Sequence, residues 1–295
     1  MLNLEESNQY LINLINQNEP FLITRLGIGA ETMIIYDYLQ KKRDNSIPAI
    51  QWHNSSLTHT INVLSNNAGI YGIDKHNLTL YCQLYLEAIE RSNALACFQN
   101  TMIDIPQTLL VQKYRIDTLY SRILEPFYCC LENITPWSHS LLGKKVLIIS
   151  PFTDSIQKQL NDGFQIFKDK QIFKEGQEFV FYKSYQSIAG NHPHQNWLET
   201  YTIMCREIKN LDFDIALLGC GGYGLPLCNY IHKNLKRSSI YVGGGLQLLF
   251  GVMGKRWTEI PLWKKIIEEN DTKFIRPSGT EICSNLDLVE GGCYW

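Results

Sequence analysis

Six short runs of nearly unbroken apolar residues constrain this chain more than any other feature. They are PFLITRLG (20–27), ALACF (94–98), KKVLIIS (144–150), EFVFYKSY (178–185), FDIALLG (213–219) and SSIYVG (238–243). Between them lie stretches with apolar residues at helical spacing, over 30–41, 77–93, 153–168, 197–209 and beyond Gly224. A strand that is apolar at successive positions must be buried on both faces, and alternating helices supply the cover. The expected fold is α/β: a doubly wound, mostly parallel sheet with helices on both faces, Rossmann-like. The spacing also predicts an amphipathic helix within 1–20 and a helix near 118–132. ITPWSHSLLG (134–143) reads as a loop-like connection and the plausible place for a weak lobe boundary. Otherwise 1–295 reads as a single domain.

Composition bounds the function classes. Hydrophobic residues make up 45% and charged residues 19%, enough for a large core and too apolar for disorder. The formal net charge is −2, with no run of Lys or Arg, so nucleic acid is not an expected partner. The first twenty residues are acidic and polar, without the basic start of a signal peptide. No apolar run approaches the roughly 20 residues of a membrane span. Nine cysteines are scattered without a C-x-x-C pair, which fits reduced thiols and a cytoplasmic setting better than a disulfide framework or zinc site.

Ligands of such sheets bind at the carboxyl ends of the strands. There FDIALLGCGGYGLPLCNYI carries Gly219, Gly221 and Gly224 in the spacing G-x-G-x-x-G, with Gly222 inside it. Glycine lets backbone N–H groups approach an anion such as a diphosphate. A dinucleotide site also expects an acid about 20 residues on. The strand there ends in Gly243, Gly244 and Gly245 with no acid nearby. Either the glycines make tight turns and nothing more, or the two loops lie side by side as one phosphate cradle. Lys255 and Arg256 of the KRW triplet would then supply charge, Arg through a bidentate fork. Trp257 reads as core.

The first strand ends in Arg25, turns through Gly27 and Gly29, and enters a helix at Glu31. That glutamate can complement the helix dipole, with Arg25 as its structural partner. It can equally bind a divalent ion or a sugar hydroxyl. Ser150, Thr153 and Ser155 sit after another strand, where hydroxyls cap helices or touch phosphate. His192 and His194 lack a third metal ligand and read as solvent-exposed. His53 and His59 lie in a polar stretch that fits an acceptor cleft. Cys220, inside the glycine loop at a helix start, is a position where a thiol pKa can be lowered, but it reads as a small loop filler.

TRLGIGAE, LEPF (124–127), PW (136–137), GKKVLIISPF (143–152), the 219–224 loop, GGGLQLLFG through KRW and the terminal GGCYW occur in that order. In these motifs the chain resembles the GT-D-fold glycosyltransferases of surface-polysaccharide gene clusters. That family carries a strand ending in Arg, then a glycine turn with an acidic pair of the form Asp-x-Glu. The resemblance implies catalytic or donor-binding roles for Arg25 and Glu31, and an Mn2+ or Mg2+ ion at Glu31. Where the family has its Asp, this chain has Ile28 or Gly29, which puts the metal in question.

The expected activity is transfer of a sugar from a nucleotide-diphosphate donor to a glycan or glycoconjugate acceptor. Gly27, Gly29 and the two glycine loops would hold the donor, and Lys255 or Arg256 would stabilise the leaving group. The alternatives are a Rossmann-type enzyme using S-adenosylmethionine or NAD at 219–224, and a non-catalytic nucleotide- or glycan-binding module.

Overall fold

All six predicted strands form, and a seventh joins them in one parallel sheet. The structure, a computed structural model, describes the backbone of residues 1–43 and 47–295 and the side chains outside 41–56. The first half contains α1 (Leu4–Gln17), β1 (Leu22–Arg25), α2 (Ala30–Arg43), α3 (Ile47–Ala68), α4 (Lys75–Glu90), β2 (Ala94–Cys97), α5 (Asp104–Tyr114), β3 (Asp117–Tyr120) and α6 (Phe127–Leu131). The second contains β4 (Lys145–Ser150), α7 (Thr153–Asn161), β5 (Glu178–Lys183), α8 (Trp197–Ile208), β6 (Ile215–Leu218), α9 (Gly224–Tyr230), β7 (Ser238–Tyr241), α10 (Lys255–Thr258) and α11 (Pro261–Asn270). The strand order is β3-β2-β1-β7-β6-β4-β5.

Successive strand residues point to opposite faces, so each apolar run feeds two cores. In β4, Leu147 and Ile149 join α2, α4, α8 and α9 on one face. Val146 and Ile148 join α1, α6, α7 and α11 on the other. β6 divides in the same way, with Ala216 and Leu218 on the first face and Ile215 and Leu217 on the second. The central runs lack polar alternation because both faces of the sheet are covered there, with β2, β6 and β7 buried at every position. Helix starts follow local chemistry. Asn3 and Asp74 each close a capping box, at α1 and α4, and Asn196 accepts the Glu199 N–H at the start of α8.

Only the last part of the helix expected near 118–132 forms, as α6. Asp117–Tyr120 pairs with Ala94–Cys97 as an edge strand, a 3-10 turn follows over Ser121–Leu124, and α6 begins only at Phe127. Pro126 explains the break, because the residue before a proline is pushed out of the helical region. Glu125 is accordingly extended, at φ −113° and ψ 90°. The helix expected over 153–168 stops at Asn161, where Gly163 turns the chain at φ +73°. Segment 134–143 holds a 3-10 turn, Trp137–Leu141, whose Trp137 is fully buried and donates its indole N–H to the Ile123 carbonyl at 2.7 Å. Among the described residues no helix is long and apolar enough to cross a membrane.

Candidate functional site

The sheet order fixes where a site belongs. β1 leads outward to β2 and β3, and β7 borders the other half, so the tips of β1 and β7 flank the reversal of strand order. That crevice is the usual ligand position in open α/β sheets. Register then brings the two glycine loops together. Leu218 pairs with Tyr241, and its carbonyl accepts from both the Val242 and Gly243 N–H groups, at 3.0 and 2.9 Å. A Cβ on Gly219 would stand 2.7 Å from the Gly243 carbonyl oxygen. Loops 219–224 and 243–245 therefore abut, as expected from adjacent strands.

A cavity of about 650 Å3 opens over these tips. Arg25 forms part of its floor. The guanidinium lies between the rings of Phe98 and Tyr241, 4.7 and 5.5 Å from their centroids. It donates to the main-chain oxygens of Leu26 and Val242, at 3.2 and 3.4 Å. Aromatic faces and carbonyls hold the cation in place.

Two carboxyls flank it. Glu31, at the start of α2, folds its side chain back over Gly27, where a Cβ would stand 2.5 Å from the carboxyl group. The turn is pinned from beneath: the Gly27 N–H donates to Tyr85 Oη at 3.0 Å and Thr32 Oγ1 donates to the Gly27 carbonyl at 2.5 Å. Burial pushes the Glu31 pKa up, opposed by the nearby Arg25 charge. Glu125 enters from the other side, aimed by its pre-proline backbone, and occupies the space beside Gly245. Burial raises its pKa too, against the pull of Arg122 and Arg25. A glutamate in the LEPF run carried no signal of this role in the sequence.

The glycines turn out to make room chiefly for the protein's own side chains. Gly243 (φ +79°) clears Arg25, Gly244 clears the Tyr294 ring, Gly245 clears Glu125 and Gly27 clears Glu31. Gly29, at φ +119°, faces open space on the cavity wall. Gly219 and Gly221 line the cavity, whereas Gly222 packs on Ile70 and Gly224 on the Tyr241 ring. Those last two glycines are packing positions, so the loop keeps the spacing of a dinucleotide fingerprint without its open backbone.

The cation pair of the KRW triplet divides. Arg256 lines the cavity, lies over the Tyr294 ring at 4.5 Å, donates to Tyr294 Oη at 3.1 Å and pairs with Glu290. Lys255 is not on the cavity wall, and its ammonium reaches the Gly291 carbonyl at 3.4 Å. Trp257 is buried at the wall, as expected of a core residue.

Other candidates find structural places. Ser150 Oγ accepts the Phe152 N–H at 3.2 Å. The buried Glu281 carboxylate accepts the Ser155 N–H at 2.9 Å and the Ser155 hydroxyl, so the protein's own anion takes the N-terminus of α7. His192 is exposed but stacks on Tyr71 at 4.2 Å, and His194 Nδ1 lies 3.0 Å from Thr200 Oγ1. His59 is exposed on α3, and the His53 side chain lies outside the described residues. Cys220 is buried in its loop, and burial raises its thiol pKa, as suits a small filler residue and not a reactive thiol. All nine cysteines are free.

No family model, curated protein or solved structure matches this chain.

Among the described residues, no group of three His, Cys, Asp or Glu side chains could hold a metal ion. Ile28, at a position where the resemblance expects an aspartate, is an exposed apolar residue, and the further cavity carboxyls come from Glu125 and Glu290. The cavity joins the guanidiniums of Arg25 and Arg256 to three carboxyls, Glu31, Glu125 and Glu290, the first two with pKa values raised by burial, an arrangement able to bind an anion and move a proton beside it.

Proposed function

We propose that this protein transfers a sugar from a nucleotide-diphosphate donor to the hydroxyl of a glycan or glycoconjugate acceptor, in the cytoplasm. The observation that carries this reading is Arg25, held at the strand-order reversal against Gly243, the first of the β7 loop glycines, with the carboxyls of Glu31 and Glu125 in the same cavity. The roles follow from chemistry. Arg25 and Arg256 would neutralise the diphosphate and the charge that develops on it as the glycosidic bond breaks. Glu31 or Glu125 would take the proton of the acceptor hydroxyl, and a carboxyl with a raised pKa suits that task. The loop Gly219–Gly224 supports an S-adenosylmethionine or NAD site less well, because Ile70 and Tyr241 fill the spaces beside Gly222 and Gly224.

Thermal-shift screening tests the reading. UDP-, GDP- and dTDP-sugars are expected to raise the melting temperature by several degrees for at least one member. A rise with NAD or S-adenosylmethionine alone would overturn it. Product formation with Glu31→Gln and Glu125→Gln then separates an enzyme from a binding module: loss in at least one variant is expected, with donor binding retained.

A further inference from the structure

The second guanidinium of the cavity is already occupied. Arg256 pairs with Glu290, and both residues line the cavity. Glu290 belongs to a turn with unusual backbone geometry: Glu290, Gly291 and Gly292 are consecutive residues in the left-handed region, at φ +50°, +68° and +75°. Asn285, just upstream, is also left-handed at φ +57°. A non-glycine residue there costs about 1–2 kcal/mol, so the conformation at Glu290 is held by its contacts and not by preference.

Both flanks of this turn are anchored independently of Glu290. Upstream, Glu281 is buried at α7, its carbonyl accepts from Gln186 Nε2 and Trp295 Nε1, and Asn191 holds the Ser284 carbonyl at 2.8 Å. Downstream, the Cys293 and Trp295 carbonyls accept the Arg256 and Lys255 N–H groups, at 2.9 and 2.7 Å. Between the anchors, Val289 is buried while Leu288 and Glu290 are exposed, the Glu290 side chain to 53%. Within the turn Asn66 Nδ2 donates to the Leu288 carbonyl at 2.8 Å and Lys255 Nζ to the Gly291 carbonyl at 3.4 Å, so a shift of the turn breaks these two contacts while its ends stay fixed.

A guanidinium fork accepts a carboxylate and a phosphate in the same geometry, and phosphate brings more charge. Glu290 also acts on the rest of the site, because its charge is felt at Glu31. An anion entering beside Arg25 would meet that charge unless the carboxylate moved. We propose that Glu290 is an internal competitor for the anionic part of the ligand: a diphosphate replaces it on Arg256 and displaces the 286–292 turn. This rests on the reading of the cavity as a diphosphate site and adds its regulation by the chain's own carboxylate.

Isothermal titration with inorganic pyrophosphate tests it on the full chain. Glu290→Gln is expected to bind pyrophosphate about tenfold more tightly than the native protein. Glu290→Asp, which keeps the charge, should stay within about threefold of native, and melting curves of all three check that the fold is kept. In the native protein, saturating pyrophosphate should speed cleavage after Glu290 by a glutamate-specific protease, mapped by mass. Equal or weaker binding by Glu290→Gln, or unchanged cleavage, would overturn the exchange. If native protein binds pyrophosphate and Arg25→Gln does not, the diphosphate reading survives that outcome. If neither native protein nor Glu290→Gln binds pyrophosphate or any nucleotide sugar, both fail together.

Discussion

The guanidinium of Arg25 occupies the volume that a side chain at Gly243 would need. A Cβ on Gly243 would stand 2.5 Å from Nη1, and the residue holds φ +79°. The strand tip and the cation are therefore one unit, built from β7 and β1 together. Gly243→Ala should cost about 1–2 kcal/mol from the left-handed backbone alone, measured by urea unfolding. It should also abolish the melting-temperature rise given by a nucleotide sugar, since Arg25 must move. A variant with native stability and a full ligand response would place Arg25 elsewhere.

Gly224 makes the opposite case. A Cβ there meets the Tyr241 ring, so Gly224→Ala overpacks the core beneath the cavity. The expected loss is about 1–3 kcal/mol of stability, with the ligand-induced shift retained. A phosphate-cradling glycine would behave the other way round, losing ligand while keeping stability. Unfolding and thermal-shift curves on the same preparation distinguish the two.

These two glycines show how far the sequence could be read. The spacing of Gly219, Gly221 and Gly224 after an apolar run located a strand tip, and continuous apolar runs located six strands, because burial on both faces leaves a signal in composition. It could not tell which glycine clears a ligand and which clears Tyr241, since the partner ring lies on the next strand. β3 escaped for a related reason: DTLY is four residues at a sheet edge, with Asp117 exposed and Leu119 alone fully buried. Arg25, Glu31 and the Lys255–Arg256 pair stood out from their places after strands, but the sequence did not tell which cation of the pair lies on the cavity wall. Glu125 did not stand out, because its reach into the cavity depends on the extended backbone before Pro126 and on an absent side chain at Gly245.

The pKa of Glu31 gives a pH test. Burial raises it in the folded protein above the unfolded value of about 4.3, so the native state holds its proton longer. From that value upward to the folded pKa, the native state binds more protons than the unfolded chain. Stability contributed by this group therefore falls as pH rises through that window, and the cost is complete above it. Glu31→Gln removes the charge. Its melting temperature should exceed the native one at pH 7, and the gap should close as both are acidified toward pH 4.5. A gap that widens on acidification would contradict the burial of this carboxyl.

Glu281 is buried and satisfies the start of α7 through Ser155. Hydrogen bonds to a charged group contribute about 1.5–3 kcal/mol each, so Glu281→Ala should destabilise by roughly 3 kcal/mol or more. At about 2–4 °C per kcal/mol for a chain of this size, the melting temperature should fall by at least roughly 6 °C. Glu281→Gln keeps one acceptor oxygen and should fall by less. Equal losses in the two variants would mean that the charge, rather than the cap, matters.

Lys255 and Arg256 are adjacent in sequence but unequal in place. Arg256 lies on the cavity wall, stacked over Tyr294, whereas Lys255 reaches only the Gly291 carbonyl outside it. A charge-assisted contact to phosphate contributes about 1.5–3 kcal/mol, or roughly ten- to hundredfold in affinity. Arg256→Ala should weaken nucleotide-sugar binding by that factor, measured by titration calorimetry, even though Glu290 loses its partner at the same time. Lys255→Ala should change affinity by less than about twofold, because an exposed lysine off the wall adds little at physiological salt. Equal losses in both variants would mean that the cavity draws on general surface charge, and the position of Arg256 would then explain nothing about binding.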